Sequence, residues 1–274
     1  MNNEQETGAA RAGLDKAAYL ERKRMLRESA VSFKKEKVCY TCRWLQQYCR
    51  CPLIKPFDTD IRFVILMHTK EAKQEKLGTG RICKATLRNS QIIVGVDFTL
   101  NAEVNAILAD PANHCLVLYP GRNSLDISKD DVAPLRERKA SGKRLVVFLI
   151  DGTWQCAKKM MTLSGNVRNL PRVSFSASHK SIFYIKQQPA DYCLSTLESI
   201  HFFLGEADRR GLEHLPGRPQ DNLITVFQSM IDFMIMCALD PDRSTYRGNK
   251  TGYTKPEDRQ LRKPASGRNI VLTD

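Results

Sequence analysis

Six apolar residues in a row, Leu145-Val146-Val147-Phe148-Leu149-Ile150, end abruptly in Asp151-Gly152-Thr153-Trp154. A buried strand that stops at Asp-Gly sets polar groups at the rim of a sheet, and open α/β sheets bind ligands at the carboxyl ends of their strands. Between Lys143 and Pro189 there are eight Lys/Arg and one acid, Asp151. A lone carboxylate in basic surroundings is either a paired structural ion or a working group. Asp151 is therefore the first candidate for chemistry, with an N-cap on the helix expected from Trp154 as the bland reading.

Other segments follow the same grammar. Apolar runs at residues 61–67, 92–94 and 115–119 read as strands. Helical patterns are expected at 80–87, at 154–161, and at 101–108, where Asn101 is the cap. Ser195 with Glu198 three residues on forms a capping box that opens a further helix, and residues 222–238 make a long apolar one. Residues 172–175 and 183–186 read as short extended pieces, and 14–30 as a charged helix. Strands that alternate with helices predict an α/β core with a mostly parallel sheet. The expected organisation is an N-terminal extension (1–38), a cysteine lobe (39–60), a core (61–240) and a basic tail (241–274). That tail has eight Lys/Arg and two acids between Arg243 and Arg268.

The 274 residues carry a net charge of +13, which favours a polyanionic partner, most economically nucleic acid. No apolar run reaches the roughly 20 residues that span a bilayer, and the first residues lack the apolar centre of a signal peptide. Nine unevenly spaced cysteines point to a reduced, cytoplasmic protein rather than a disulfide frame. Four of them, Cys39, Cys42, Cys49 and Cys51, fit C-x2-C-x6-C-x-C. Four thiolates so close suit a structural tetrahedral Zn²⁺; an iron–sulfur cluster or no metal are the alternatives. Such a site is closed, so the metal is not expected to do chemistry. Arg43, Trp44, Tyr48 and Arg50 lie among the ligands, where cations and aromatics stack on single-stranded RNA or pack the lobe.

Several motifs in one order carry a resemblance. They are His68-Thr69-Lys70-Glu71, Thr79-Gly80-Arg81, Asp151-Gly152-Thr153-Trp154, Asn169-Leu170-Pro171-Arg172-Val173, Tyr184-Ile185-Lys186-Gln187-Gln188-Pro189 and Leu194-Ser195-Thr196-Leu197-Glu198. Together with the cysteine cluster, they resemble the DTW-domain family over roughly residues 39–239. His68-Thr69 stands where His-Pro is expected, and Gly78 where Asn is expected.

The resemblance implies a SPOUT-like α/β enzyme with a C-terminal trefoil knot. It implies use of S-adenosylmethionine as co-substrate and transfer of its 3-amino-3-carboxypropyl group to N3 of a uridine in tRNA, with methylthioadenosine released, as in bacterial members. Asp151 is then the proton acceptor for N3 or the group that orients the donor's ammonium. Tyr119, Pro120, Gly121, Gly152, Thr153, Trp154, Leu194, Ser195 and Thr196 form the expected donor site. The two glycines allow close backbone approach, Trp154 stacks or packs in the core, and Ser195 and Thr196 bind the donor carboxylate or simply cap. Arg172, Lys180 and Lys186 are expected on tRNA phosphates. His179 and His201 read as structural, and Cys83, Cys115, Cys156 and Cys193 as small buried residues. A monomer is expected. A SPOUT-like RNA methyltransferase and a non-catalytic zinc RNA-binding protein are the rival functions.

Overall fold

The computed structural model describes Glu21, Arg24, Met25 and residues 39–74, 78–121, 123–176, 181–183 and 193–239. Of the expected helix at 14–30 only Glu21, Arg24 and Met25 are described, each helical; the basic tail, Lys180, Lys186, Tyr184 and His179 lie outside the described residues. The chain divides between Cys49 and Arg50.

In the larger unit, six strands form one parallel sheet: β1 (Arg62–His68), β2 (Ser90–Gly95), β3 (Asn113–Leu118), β4 (Leu125–Asp126), β5 (Arg144–Asp151) and β6 (Arg172–Ser174), in the spatial order β2-β1-β5-β3-β6-β4. The expected α/β class and parallel sheet are thus present. β5 lies between β1 and β3, and both β1 and β5 are buried at nearly every position. This explains why their sequences are continuous apolar runs: a central parallel strand has helices on both faces and no side for water.

The helices are α1 (Thr69–Gln74), α2 (Thr79–Thr86), α3 (Ala102–Ala109), α4 (Ala133–Ala140), α5 (Trp154–Leu163), α6 (Gly165–Arg168), α7 (Thr196–Arg209) and α8 (Asp221–Leu239). Successive strand residues point to opposite faces, so the two layers can be read from the contacts. Val64, Leu66, Val117, Val146 and Phe148 pack with Val104 and Ile107 of α3, Met160 and Met161 of α5, and Val167 of α6. On the other face Phe63 meets Phe203 of α7 edge-on at 6.2 Å, and Phe183 meets Phe227 of α8 at 5.0 Å. Each fully buried aromatic in these layers contributes about 1.5–3 kcal/mol of transfer free energy.

Apart from 14–30 and 183–186, which lie almost wholly outside the described residues, the expected strands and helices are found within one to three residues of their ends. Asn101 caps α3 by accepting from Val104 N–H, and the capping box at Ser195 forms. Elements α1, α4, α6 and β4 were not legible. α4 reads Arg136-Glu137-Arg138-Lys139 around one buried residue, Leu135, so it carries almost no apolar period. β4 is only two residues long. Cys83 and Cys193 are buried as expected, whereas Cys115 and Cys156 are half-buried.

Candidate active site at the carboxyl edge of the sheet

Asp151 is the last residue of β5 and only 5% exposed. Its Oδ1 accepts a hydrogen bond from the Thr196 hydroxyl at 2.6 Å, the length of a charge-assisted O–H···O⁻ bond. Thr196 is the first residue of α7, and the capping box fixes it there: Ser195 Oγ accepts from Glu198 N–H at 3.3 Å, and the Glu198 carboxylate accepts from Ser195 N–H at 2.8 Å. The Ser195 hydroxyl therefore serves as a cap. Thr196 does more, because its proton is committed to Asp151.

Gly80, in the first turn of α2, closes the other side of the carboxylate. A Cβ at this position would lie 2.5 Å from Asp151 Oδ2 and 3.1 Å from Met67 Cε. One turn on, the Cys83 thiol is pushed well up, first by burial and then by the charge of Asp151. The capping reading of Asp151 is overturned. Thr153 is the N-cap of α5 and accepts from Cys156 N–H at 3.4 Å, because Asp151 is still in the strand, with its side chain turned toward α2 and α7.

Gly152 turns the chain onto the other face. A Cβ there would meet His68 Cβ and Cys156 Cβ, each at 3.3 Å. His68 ends β1 and is buried; its Nδ1 accepts from Lys70 N–H at 3.1 Å. Its pKa is lowered, first by burial and then by Lys70 and Lys159. Trp154 is 38% exposed, so core packing does not account for it. At the next strand end Tyr119 lies under the Arg172 guanidinium, 5.6 Å from ring centroid to Cζ. A Cβ on Gly121 would come within 2.6 Å of Arg172 Nη1. Arg172 thus packs along the strand-end loop instead of standing free on the surface. Pro120 is exposed and Leu194 half-buried. A cleft of about 570 Å³ opens here, lined by Asn123, Asn169, Leu170, Pro171 and Arg172.

The expected site residues are therefore gathered along one edge but split by face: Asp151 and Thr196 on one, Tyr119, Gly152 and Arg172 on the other. Two contributors, Gly80 and His68, were not assigned roles from the sequence, and a third, Glu198, does more than was expected of it. Gly80 and His68 lay in recognisable motifs, yet only the fold brings them to Asp151 and Gly152. Glu198, expected as a cap, also accepts from Ser181 Oγ at 2.9 Å and Ile182 N–H at 2.8 Å. It therefore ties a loop to the start of α7. His201 donates its Nδ1–H to the Gln220 carbonyl at 3.1 Å within the core, as a structural residue does.

The four cysteines come together: Sγ atoms of Cys39, Cys42, Cys49 and Cys51 all lie within 4.8 Å of one another, and Cys42 and Cys49 are 3.7 Å apart. Four sulfurs about 2.3 Å from a tetrahedral zinc are separated by roughly 3.8 Å, so the donor set and spacing fit Zn²⁺. Burial raises the Cys39 thiol pKa, but hydrogen bonds from Cys42, Cys49 and Thr41 outweigh it and bring the value down to about 6, which favours the thiolate that a metal needs. Trp44 is buried, while the Arg50 guanidinium lies over Phe233 at 5.1 Å. Neither is a free stacking surface for RNA.

Residues 36–235 match the DTW domain. The chain belongs to the DTW-domain family. It is 32% identical over 168 residues to tRNA-uridine aminocarboxypropyltransferase 2 of Drosophila melanogaster, covering 59% of this chain and 62% of that protein. Proteins of the same name from Macaca fascicularis (25% over 236 residues, 84% of this chain and 74% of that protein) and Mus musculus (25% over 202 residues, 72% and 63%) are also similar. The matches to the Drosophila and Mus proteins thus span less than two thirds of those relatives. No solved structure matches this chain.

Proposed function

We propose that this DTW-domain protein transfers the 3-amino-3-carboxypropyl group of S-adenosylmethionine to N3 of a uridine in tRNA. The observation that carries the reading is the buried Asp151, held by Thr196 and walled by Gly80 at the carboxyl edge of the sheet, within a domain shared with proteins named for this activity. In the reaction uracil N3 gives up its proton and its electron pair forms a bond to Cγ of the donor's methionine chain. The Cγ–S bond breaks, its pair neutralises the sulfonium, and methylthioadenosine leaves. One proton is released for each group transferred.

A weakly acidic N3–H calls for an acceptor, and a bent methionine chain calls for an anchor for its ammonium. Asp151 meets one of these needs. The donor carboxylate is met by backbone N–H groups at the start of α7, because the Ser195 and Thr196 hydroxyls are already engaged. Tyr119, Pro120, Gly121, Gly152, Thr153, Trp154 and Leu194 line the donor site, with Trp154 available for stacking. Lys180 and Lys186 hold tRNA phosphates, and Arg172 reaches them from its place over Tyr119. Zn²⁺ on the four cysteines is structural.

We assign the core to the SPOUT-like class with a C-terminal trefoil knot, a reading supported by the DTW-domain match and the all-parallel sheet. The domain limits are 1–38, 39–60, 61–240 and 241–274. The protein acts as a cytoplasmic monomer; among the described residues no helix is long and apolar enough to cross a membrane.

Nucleoside mass spectrometry of tRNA incubated with the protein and S-adenosylmethionine tests the function. Aminocarboxypropyl-uridine with methylthioadenosine is expected. Methyluridine with S-adenosylhomocysteine would make it a methyltransferase, and unmodified tRNA would leave an RNA-binding protein.

A further inference from the structure

His68 stands out as a polar group without an assigned task. It ends β1, is 6% exposed, and lies directly across from Gly152, whose missing side chain leaves room for the imidazole. The backbone N–H of Lys70 can only donate, so Nδ1 of His68 is the acceptor in their 3.1 Å bond. The proton of the neutral ring is then on Nε2. Among the described residues Nε2 has no hydrogen-bond partner. Burial, with Lys70 and Lys159 nearby, disfavours a second proton, so near neutral pH the ring is a neutral donor. Nε2 is not one of the buried unpaired polar atoms among the described residues, so it reaches the surface of the sheet edge, where a ligand can accept its N–H.

Register decides what that ligand can be. Met67 pairs with Asp151 across β1 and β5, so His68 and Asp151 sit one residue apart on neighbouring strand ends. Their side chains leave opposite faces of the sheet. A planar base bound at this edge would have the carboxylate on one side and the N–H donor on the other. In uracil, N3 is flanked by two carbonyls, and the charge left when N3 loses its proton is shared with both oxygens.

We propose that His68 donates its Nε2–H to a carbonyl oxygen of the target uracil and stabilises the negative charge that reaches this oxygen as N3 is deprotonated. The proposal rests on the aminocarboxypropyl-transfer reading above and adds a catalytic residue to it. The N3 proton leaves to the acceptor, the N3 pair goes to Cγ, and the His68 proton stays on the imidazole throughout. Lys70 and Lys159 add a positive field around the imidazole. The donor's own carboxylate is the other oxygen acceptor in the reaction, and the two are separable by experiment.

The test uses the full chain with His68→Leu, which fills the space without a donor, and His68→Gln, which keeps an N–H at a similar reach. Single-turnover transfer to tRNA, donor affinity by calorimetry and tRNA affinity by filter binding are measured for each. His68→Leu is expected to slow transfer by about 10²–10³-fold, the usual consequence of losing one donor to a developing oxyanion, with both affinities unchanged. His68→Gln is expected to recover part of the rate. If His68→Leu does not fold, His68→Ala replaces it. A donor-less variant that transfers at the wild-type rate overturns the proposal. So does a His68→Gln protein as slow as the donor-less variant. A donor-less variant whose donor affinity drops tenfold or more places the contact on the donor carboxylate and also overturns it. Wild-type protein that leaves tRNA unmodified overturns the functional reading itself, a different result from an active wild type with an indifferent His68.

Discussion

Asp151 is held on two sides, and each side gives a prediction. Asp151→Asn keeps the shape and the Oδ1 acceptor for Thr196 but removes charge and basicity. Single-turnover transfer is expected to fall by about 10²–10⁴-fold, as for loss of a general base, with tRNA affinity near normal. A parallel fall in donor affinity, read by calorimetry, would assign Asp151 to the donor's ammonium. Gly80→Ala is the sharper test of packing. In an open helix, alanine gains up to about 1 kcal/mol over glycine, but here the new methyl would press on the carboxylate and on Met67. A destabilisation of about 1–3 kcal/mol with loss of transfer is expected in urea unfolding and activity assays. Gly165 is the control: nothing lies within 4 Å of its would-be Cβ, so Gly165→Ala should be neutral or slightly stabilising. Asp151 was legible from the sequence because a carboxylate that interrupts an apolar strand is conspicuous. Gly80 was not, because the proximity that makes it matter spans residues 71 apart in the chain.

The elements around the site depend on charge-assisted contacts at their ends. Glu198 caps α7 and ties down Ser181 and Ile182 while almost wholly buried. Glu198→Gln keeps the shape but loses charge at a helix N-terminus and weakens several accepted bonds. A cost of about 1–3 kcal/mol is expected in urea unfolding, and amide exchange at Ile182 should speed up. The capping box itself could be read from the Ser195–Glu198 spacing. Its second partner at residues 181–182 could not, because a loop leaves no periodic trace. The cysteine cluster is an element of another kind, whose four thiols could be picked out from their spacing and do come together. Elemental analysis should find about one zinc per chain, as for one Cys₄ site, and Cys42→Ser should lose it. Iron with a visible charge-transfer band would instead indicate a cluster.

At the scale of the whole molecule, the net charge of +13 is expected to make the proposed tRNA binding strongly dependent on salt. Each phosphate contact contributes about 0.7–0.9 to the slope of log affinity against log salt. Removing residues 241–274, with their eight cations between Arg243 and Arg268, should weaken binding and flatten that slope without changing which uridine is modified. An unchanged slope would show that the tail makes no contact with RNA. Stability should also respond to pH. His68, His114 and His201 all have lowered pKa values, in each case chiefly through burial. The unfolded chain therefore binds their protons more readily. Stability is complete above an unfolded-state pKa of about 6.5 and is lost as pH falls through the lower folded-state values. Urea midpoints measured on both sides of about pH 6.5 should show the decline on the acid side.

The sequence by itself determined the class of the fold, the ends of its main strands and helices, the cluster of four cysteines and the acid that ends β5. Each of these is written in local terms: apolar runs for strands buried on both faces, capping residues for helix starts, and thiols within thirteen residues for a metal. Only the tertiary structure decided which residues surround Asp151. Gly80 reaches it from α2 and Thr196 from α7, while alternation along β1 and β5 sends His68 and Asp151 to opposite faces from adjacent positions. Tertiary packing likewise put Trp154 at the surface and Trp44 in the interior. Both indoles look alike in sequence, and their fates follow from what the rest of the chain lays over them.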